Sequence, residues 1–185
     1  MGIFSAFGLS ASAGLNAYIP LLVVALLARF TNLIKLNPPW DTLSSWWIIG
    51  LLLVLSLIEF FADKIPAVNH INDAIQTLIR PAAGAIIFAA SAHVITDIHP
   101  VLSLAAGLLV AGGVHAVKAL AVRPAVTVTT AGAGNVPVSI AEDVLATIVS
   151  FVSVVVPVLI AVIIALICAW ILMKMMRRTS EERQF

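Results

Sequence analysis

Apolar residues fill the chain in five long stretches, roughly 5–29, 46–63, 82–98, 101–122 and 138–174, separated by short polar or proline-bearing connections. Each approaches the roughly 20 apolar residues that cross about 30 Å of hydrocarbon. The pattern predicts an all-α, polytopic integral membrane protein forming a single transmembrane domain, with about five spanning helices. Trp40, Trp46 and Trp47 gather where the second stretch begins, and Trp170 stands just before Lys174, as in an interfacial aromatic belt. The segment from Thr31 to Ser45, with Asn37-Pro38-Pro39, reads as a true connection, and His99-Pro100 as a tight turn between antiparallel spans three and four. From Ser139 to Met176 one helix would reach roughly 55 Å at about 1.5 Å per residue. Pro157 is therefore expected to kink it into a polar half, 139–156, and an apolar half, 157–174.

Composition fits this picture. The chain is 62% hydrophobic and 10% charged, with mean hydropathy +1.13, where a soluble domain carries about 25% charged residues. A net charge of +1 gives no case for nucleic acid as a partner, and the single Cys168 excludes an intrachain disulfide. The first residues carry no basic segment of the kind that opens a cleaved signal. Lys174, Arg177, Arg178 and Arg183 follow the last stretch and predict a cytoplasmic C-terminus; Arg29 and Lys35 agree, whereas Lys64, Arg80 and Arg123 then fall on the outer side. Those three are expected to be buried in protein, unless the number of spans differs.

Charges inside such a chain are the candidate chemistry, because a carboxylate at membrane depth costs on the order of 3 kcal/mol and tends to face protein or water. Asp73-Ala-Ile-Gln-Thr77 and Asp143-Val-Leu-Ala-Thr147 share D-x-x-x-T, and each follows a Pro-Ala-Val tripeptide (Pro66–Val68 and Pro124–Val126), which suggests an internal repeat. Ser139, Asp143, Ala146 or Thr147, Ser150 and Ser153 form one polar stripe at helical spacing. It can line an aqueous path or let helices pack closely. Upstream, the Gly/Thr segment 123–137, with Thr127, Thr129, Thr130, Gly132, Gly134 and Asn135, reads as a loop or as extended backbone lining a cavity. Ser139-Ile-Ala-Glu142 reads as a capping box opening the next helix there. Segment 67–80 is amphipathic and fits either a surface helix or a re-entrant one.

Glu59 and Asp63 stand just before Pro66, and His115 and Lys118 just before Pro124, so either carboxylate is placed to neutralise Lys118 if the two halves pack together. In the first span Ser5, Gly8 or Leu9, Ser12, Asn16 and Pro20 step along one face, and Asn16 with Pro20 implies a locally opened helix. His93 and His99, near Asp97, lack metal-ligand spacing, and neither a catalytic constellation nor a cofactor motif is present. The chain is expected not to be an enzyme.

Three motifs carry a resemblance: the run Gly8-Leu-Ser-Ala-Ser-Ala-Gly-Leu-Asn-Ala-Tyr-Ile-Pro20, then Glu59-Phe-Phe-Ala-Asp-Lys-Ile-Pro66, and Thr129-Thr-Ala-Gly-Ala-Gly-Asn135. Together they resemble the bacterial membrane family described as domain of unknown function 4126, over most of the chain. The likeness implies a polytopic bacterial inner-membrane protein and brings no activity or substrate. A looser likeness to LysE-like exporters rests on a Gly/Asn/Pro break in the first helix; their inverted three-helix repeats do not match the repeat seen here.

The sequence thus supports a small transporter or channel for a solute or ion, proton- or cation-coupled. Asp73, Thr77, Glu142, Asp143, Thr147, Thr130 and Asn135 form its expected polar lining. Glu59, Asp63, Arg80, His115, Lys118 and Arg123 are expected to pair or couple charge, and Asn16 and Pro20 to break the first helix. Two alternatives stay open: a non-transporting scaffold or accessory subunit, and a lipid-handling protein. A chain of 185 residues encloses only a narrow path, so a homodimer in the lipid bilayer is expected.

Overall fold

The computed structural model describes residues 2–64, 66–92 and 99–157; the side chains of 66–71 and 73 are not part of that description. Expectations about His93, Asp97, Cys168, Trp170, Lys174, Arg177, Arg178, Arg183 and the half-segment 157–174 lie outside the described residues beyond Pro157 itself, and so does the side chain of Asp73.

All regular structure among the described residues is helical. The first stretch is two helices, α1 (Ile3–Leu15) and α2 (Tyr18–Phe30), parted where Asn16 takes extended backbone angles (φ −141, ψ 126). Asn16 Oδ1 accepts the backbone N–H groups of Tyr18 and Ile19 at 3.1 and 3.0 Å, which caps α2 from its own side chain. Pro20 fits the first turn of α2, where a missing N–H costs nothing. A short 3₁₀ turn, Trp40–Ser44, leads into α3 (Trp46–Ala62). The end of α2 docks on the start of α3: Arg29 lies 5.1 Å over the Trp46 ring, and Phe30 meets that ring edge-on.

Segment 67–80 is not a separate element. It forms the first part of α4 (Pro66–Ala92), which runs through Pro81 into the next apolar stretch. The expected loop over 123–137 is also corrected. After α5 (Pro100–Val117) come one π-helical stretch, Lys118–Val122, and then α6 (Arg123–Thr130), so helix continues from Pro100 to Thr130. The threonines tolerate this because Thr127, Thr129 and Thr130 each donate their hydroxyl to the carbonyl four residues back, at 2.9, 2.8 and 2.6 Å. Only Ala131–Gly134 turns, using left-handed angles at Ala131 (φ 50) and Gly132 (φ 86). The following helix, α7 (Asn135–Pro157), starts before Ser139, so the capping box is not used as a cap.

The packing follows from small residues. Ser10 Oγ on α1 donates within hydrogen-bond reach of Gly84 O on α4 (3.1 Å) and Gly107 O on α5 (2.8 Å). A Cβ on Gly84 or Gly107 would collide with the opposite helix, so these glycines set the distance between α1, α4 and α5. Phe7 packs edge-on against Phe88, 5.0 Å away. Contacts such as Ser10 with Gly107 and Leu15 with Lys118 run in the same chain direction, so α1 and α5 are parallel. Those with α7 run in the opposite direction: Asn16 with Asp143, then Ser12 with Ser150.

Polarity is turned inside out. Leu78, Leu109, Leu120 and Val128 are more than two-thirds exposed, whereas Arg80, Glu59 and Lys118 are buried. Ala74–Ala92, Pro100–Thr130 and Asn135–Pro157 are long and apolar enough to cross a membrane; Ile3–Leu15, Tyr18–Phe30 and Trp46–Ala62 are shorter apolar helices. Apolar side chains facing outward are what a hydrocarbon solvent requires.

Candidate functional site

The break between α1 and α2 leaves backbone groups that a helix would otherwise satisfy, and in apolar surroundings each needs a partner. Asn16 serves the α2 end. At the α1 end, Lys118 Nζ donates to Leu15 O at 3.1 Å, a cation at a helix C-terminus where the dipole favours it. Each 13-residue helix is about 20 Å long, so the break stands midway along the paired helices.

Around it gathers a charged network drawn from the ends of α3 and α5, the middle of α4, the π stretch, and the starts of α6 and α7. Arg80 is wholly buried and donates to Glu59 Oε1 through Nε (3.2 Å) and Nη2 (2.9 Å). Its Nη1 lies 3.2 Å from His115 Nδ1. Arginine can only donate, so Nδ1 accepts and the imidazole is neutral, with Nε2–H directed to Thr77 Oγ1 at 3.1 Å. Asp63 is the hub. Its Oδ2 lies 3.7 Å from Arg80, 3.5 Å from Arg123 and 4.0 Å from Lys118. Asn72 donates to its Oδ1 at 2.6 Å, and Ser139 to Oδ2 at 3.4 Å.

Glu142 Oε2 takes both Lys118 (2.9 Å) and Arg123 (2.8 Å). These cations are five residues apart, which in a regular α-helix separates them by about 140°. Pro124 lacks the N–H that would bond four residues back, and Arg123 N–H instead bonds Lys118 O in the wider π turn. That turn brings both cations to the same carboxylate oxygen.

Asp143 closes the network. Asn16 Nδ2 donates to Oδ1 at 3.0 Å, and Lys64 Nζ lies 3.4 Å from Oδ2. Lys64 also donates to Phe60 O at 2.9 Å and stands over the Phe60 ring. This pair is the most open: its side chains are 16% and 12% exposed, whereas the Arg80–Glu59 pair is fully enclosed. Counted together, four cations (Lys64, Arg80, Lys118, Arg123) meet four anions (Glu59, Asp63, Glu142, Asp143). Buried charges are tolerated when paired in this way.

The expected residues thus divide. Glu59, Asp63, Arg80, His115, Lys118, Arg123, Glu142, Asp143, Thr77 and Asn16 come together. Thr147 donates to Asp143 O within its own helix, at 2.8 Å. Thr130 and Asn135 serve the turn between α6 and α7, through Gly134 N and Thr127, and stand apart from the network. Pro20 is buried in the first turn of α2. Sequence reasoning left Lys64, Asn72 and Ser139 out of the site. The signal for Lys64 was its place beside Asp63 at the end of an apolar helix, where a cation has few other partners. No group of three or more His, Cys, Asp or Glu side chains that could hold a metal is found among the described residues.

Outward-facing apolar helices gathered round a buried, charge-balanced polar centre define a class: small all-α chains built on candidate membrane helices. Residues 3–178 match the family described as Domain of unknown function (DUF4126), and the chain belongs to that family. No curated protein and no solved structure matches it, so nothing among these matches supports the exporter likeness.

Proposed function

We propose that this DUF4126 protein is a small membrane transporter whose coupling cation, a proton or a small metal ion, binds at Asp143. One observation carries the reading. Asp143 is the network carboxylate whose cationic partner is partly open to solvent, and it is also bonded to the residue that caps the broken helix. A proton or cation on Asp143 Oδ2 competes with Lys64 and takes negative charge from Oδ1, which weakens the bond that Asn16 donates there. Occupancy of the carboxylate is thereby coupled to the α1–α2 break, the kind of discontinuous helix that lines transporter sites. The enclosed Glu59–Arg80 pair acts as a fixed staple beside it.

The test is flux in liposomes holding the purified chain, with an ion- or pH-sensitive dye inside. Asp143→Asn should abolish flux while the protein stays folded. Wild-type flux in that variant refutes the assignment.

A second reading, lipid handling, is favoured by a groove of about 500 Å³ lined by Val114, Val117, Val138 and Leu145 together with Lys118 and Glu142. It brings an apolar wall next to an ion pair. Scrambling of fluorescent phospholipid by the same liposomes, unaffected by Asp143→Asn, would select it.

A further inference from the structure

The polar stripes of α1 and α7 face each other. Along α1 and its C-cap, Ser12 and Asn16 lie seven and eleven residues beyond Ser5, which at about 100° per residue puts all three within roughly 40° of one another. Because the helices are antiparallel, Asp143 meets Asn16 (3.0 Å), and Ser150 meets Ser12 (Oγ to Oγ, 2.8 Å). Ser153 packs so closely on Gly8 that a Cβ there would collide with it. Ser5, Ser12 and Ser150 are at most 1% exposed. The seam leads from Asp143 toward the N-terminal end of α1, away from the opening at Lys64.

Two details make the seam more than close packing. Ser12 Oγ and Ser150 Oγ lie 2.7 Å from the same carbonyl, Ala146 O, as well as 2.8 Å from each other. Two hydroxyl protons therefore serve three short contacts, and the bonding can rearrange without moving a heavy atom. Further along, Ser5 Oγ is buried with no hydrogen-bond partner among the described residues. An unsatisfied buried hydroxyl costs about 1–3 kcal/mol, which a water in the seam would relieve.

We propose that the coupling ion is the proton, and that it passes between Asp143 and the α1 N-terminal side along Ser12, Ser150, Ser153 and Ser5, with water completing the file. This rests on the transport reading above. At the Ser12–Ser150 contact a metal ion has no room, whereas a proton needs none. Asp143 gives up its carboxyl proton to the nearest water. Each oxygen down the line then gains one proton and releases another, so only O–H bonds are broken and made. One positive charge crosses, and no electron moves.

The experiment uses the full chain in liposomes containing a pH-sensitive dye, with a pH gradient imposed and the potential clamped by potassium and valinomycin. Ser150→Ala should lower proton flux about tenfold, and Ser12→Ala/Ser150→Ala further. Ser150→Thr keeps a hydroxyl and should retain most of the flux, a rescue that a packing role alone does not predict. Flux should also fall when D₂O replaces water. Unchanged flux in Ser150→Ala and in the double variant overturns the seam while leaving Asp143 as the coupling site. Sodium flux without proton flux overturns the proton assignment and the seam with it, and leaves Asp143 as the cation site. A wild-type chain that conducts neither overturns both proposals.

Discussion

Asn16 and Asp143 are 127 positions apart in the chain, yet the Asn16 amide donates to Asp143 Oδ1 at 3.0 Å while its carbonyl oxygen caps α2. One side chain therefore does two things that substitution can separate. Serine keeps a cap and loses the reach to Asp143; alanine loses both. Loss of a cap costs about 0.5–2 kcal/mol, so Asn16→Ala should melt below Asn16→Ser in detergent, while flux falls in both. Equal melting temperatures would show that α2 does not depend on this cap.

Glu59 and Arg80 form the most enclosed pair, and breaking a buried pair typically costs about 3–5 kcal/mol. Glu59→Gln should destabilise the protein by an amount in that range. Replacing both residues, as in Glu59→Leu/Arg80→Met, should recover much of the loss. Detergent unfolding of Glu59→Leu, Arg80→Met and the double variant completes a cycle, and additive losses would mean that the pair is not coupled.

Around Glu142 the two sides are unequal. Lys118→Met leaves Glu142 still bonded to Arg123, whereas Glu142→Gln leaves Lys118 and Arg123 sharing the longer contacts to Asp63, at 4.0 and 3.5 Å. Glu142→Gln should therefore be the more damaging substitution in a thermal melt. The reverse order would argue against Glu142 as the shared anion.

Two glycines of α5 give a packing test with an internal control. A Cβ on Gly107 collides with α4, and overpacking of this kind costs about 1–3 kcal/mol. Gly113 has nothing within 4 Å of the same added atom, so Gly113→Ala should leave stability unchanged or raise it by up to about 1 kcal/mol. Similar melting shifts for the two variants would contradict the close approach of α4 and α5.

Much of this site can be read in the sequence, because charges in a chain so apolar have few places to go. Glu59 and Asp63 on one side, and His115 and Lys118 on the other, are opposed before any contact is known, and Asn16 with Pro20 marks the helix break. One signal misled for a physical reason. The threonines of 127–130 look like loop residues, yet hydroxyls bonded four residues back are at home in a helix. The matched D-x-x-x-T spacing does not show that Thr77 reaches an imidazole on another helix, a contact set by packing. Burial of Lys64 is expected from the sequence but its partner is not, because nothing local shows that the residue after Asp63 turns toward a helix some eighty positions later. Partnership at that range is settled by packing, not by spacing.

The even balance of the network has a consequence for how the protein is made. During synthesis Lys64, Arg80, Lys118 and Arg123 all emerge before α7, when Glu59 and Asp63 are the only network carboxylates present. The half-built cluster then carries an excess of two positive charges, four against two. Two uncompensated positive charges are costly in apolar surroundings. The arrival of Glu142 and Asp143 discharges that excess, so α7 is the element that completes the balance of the bundle.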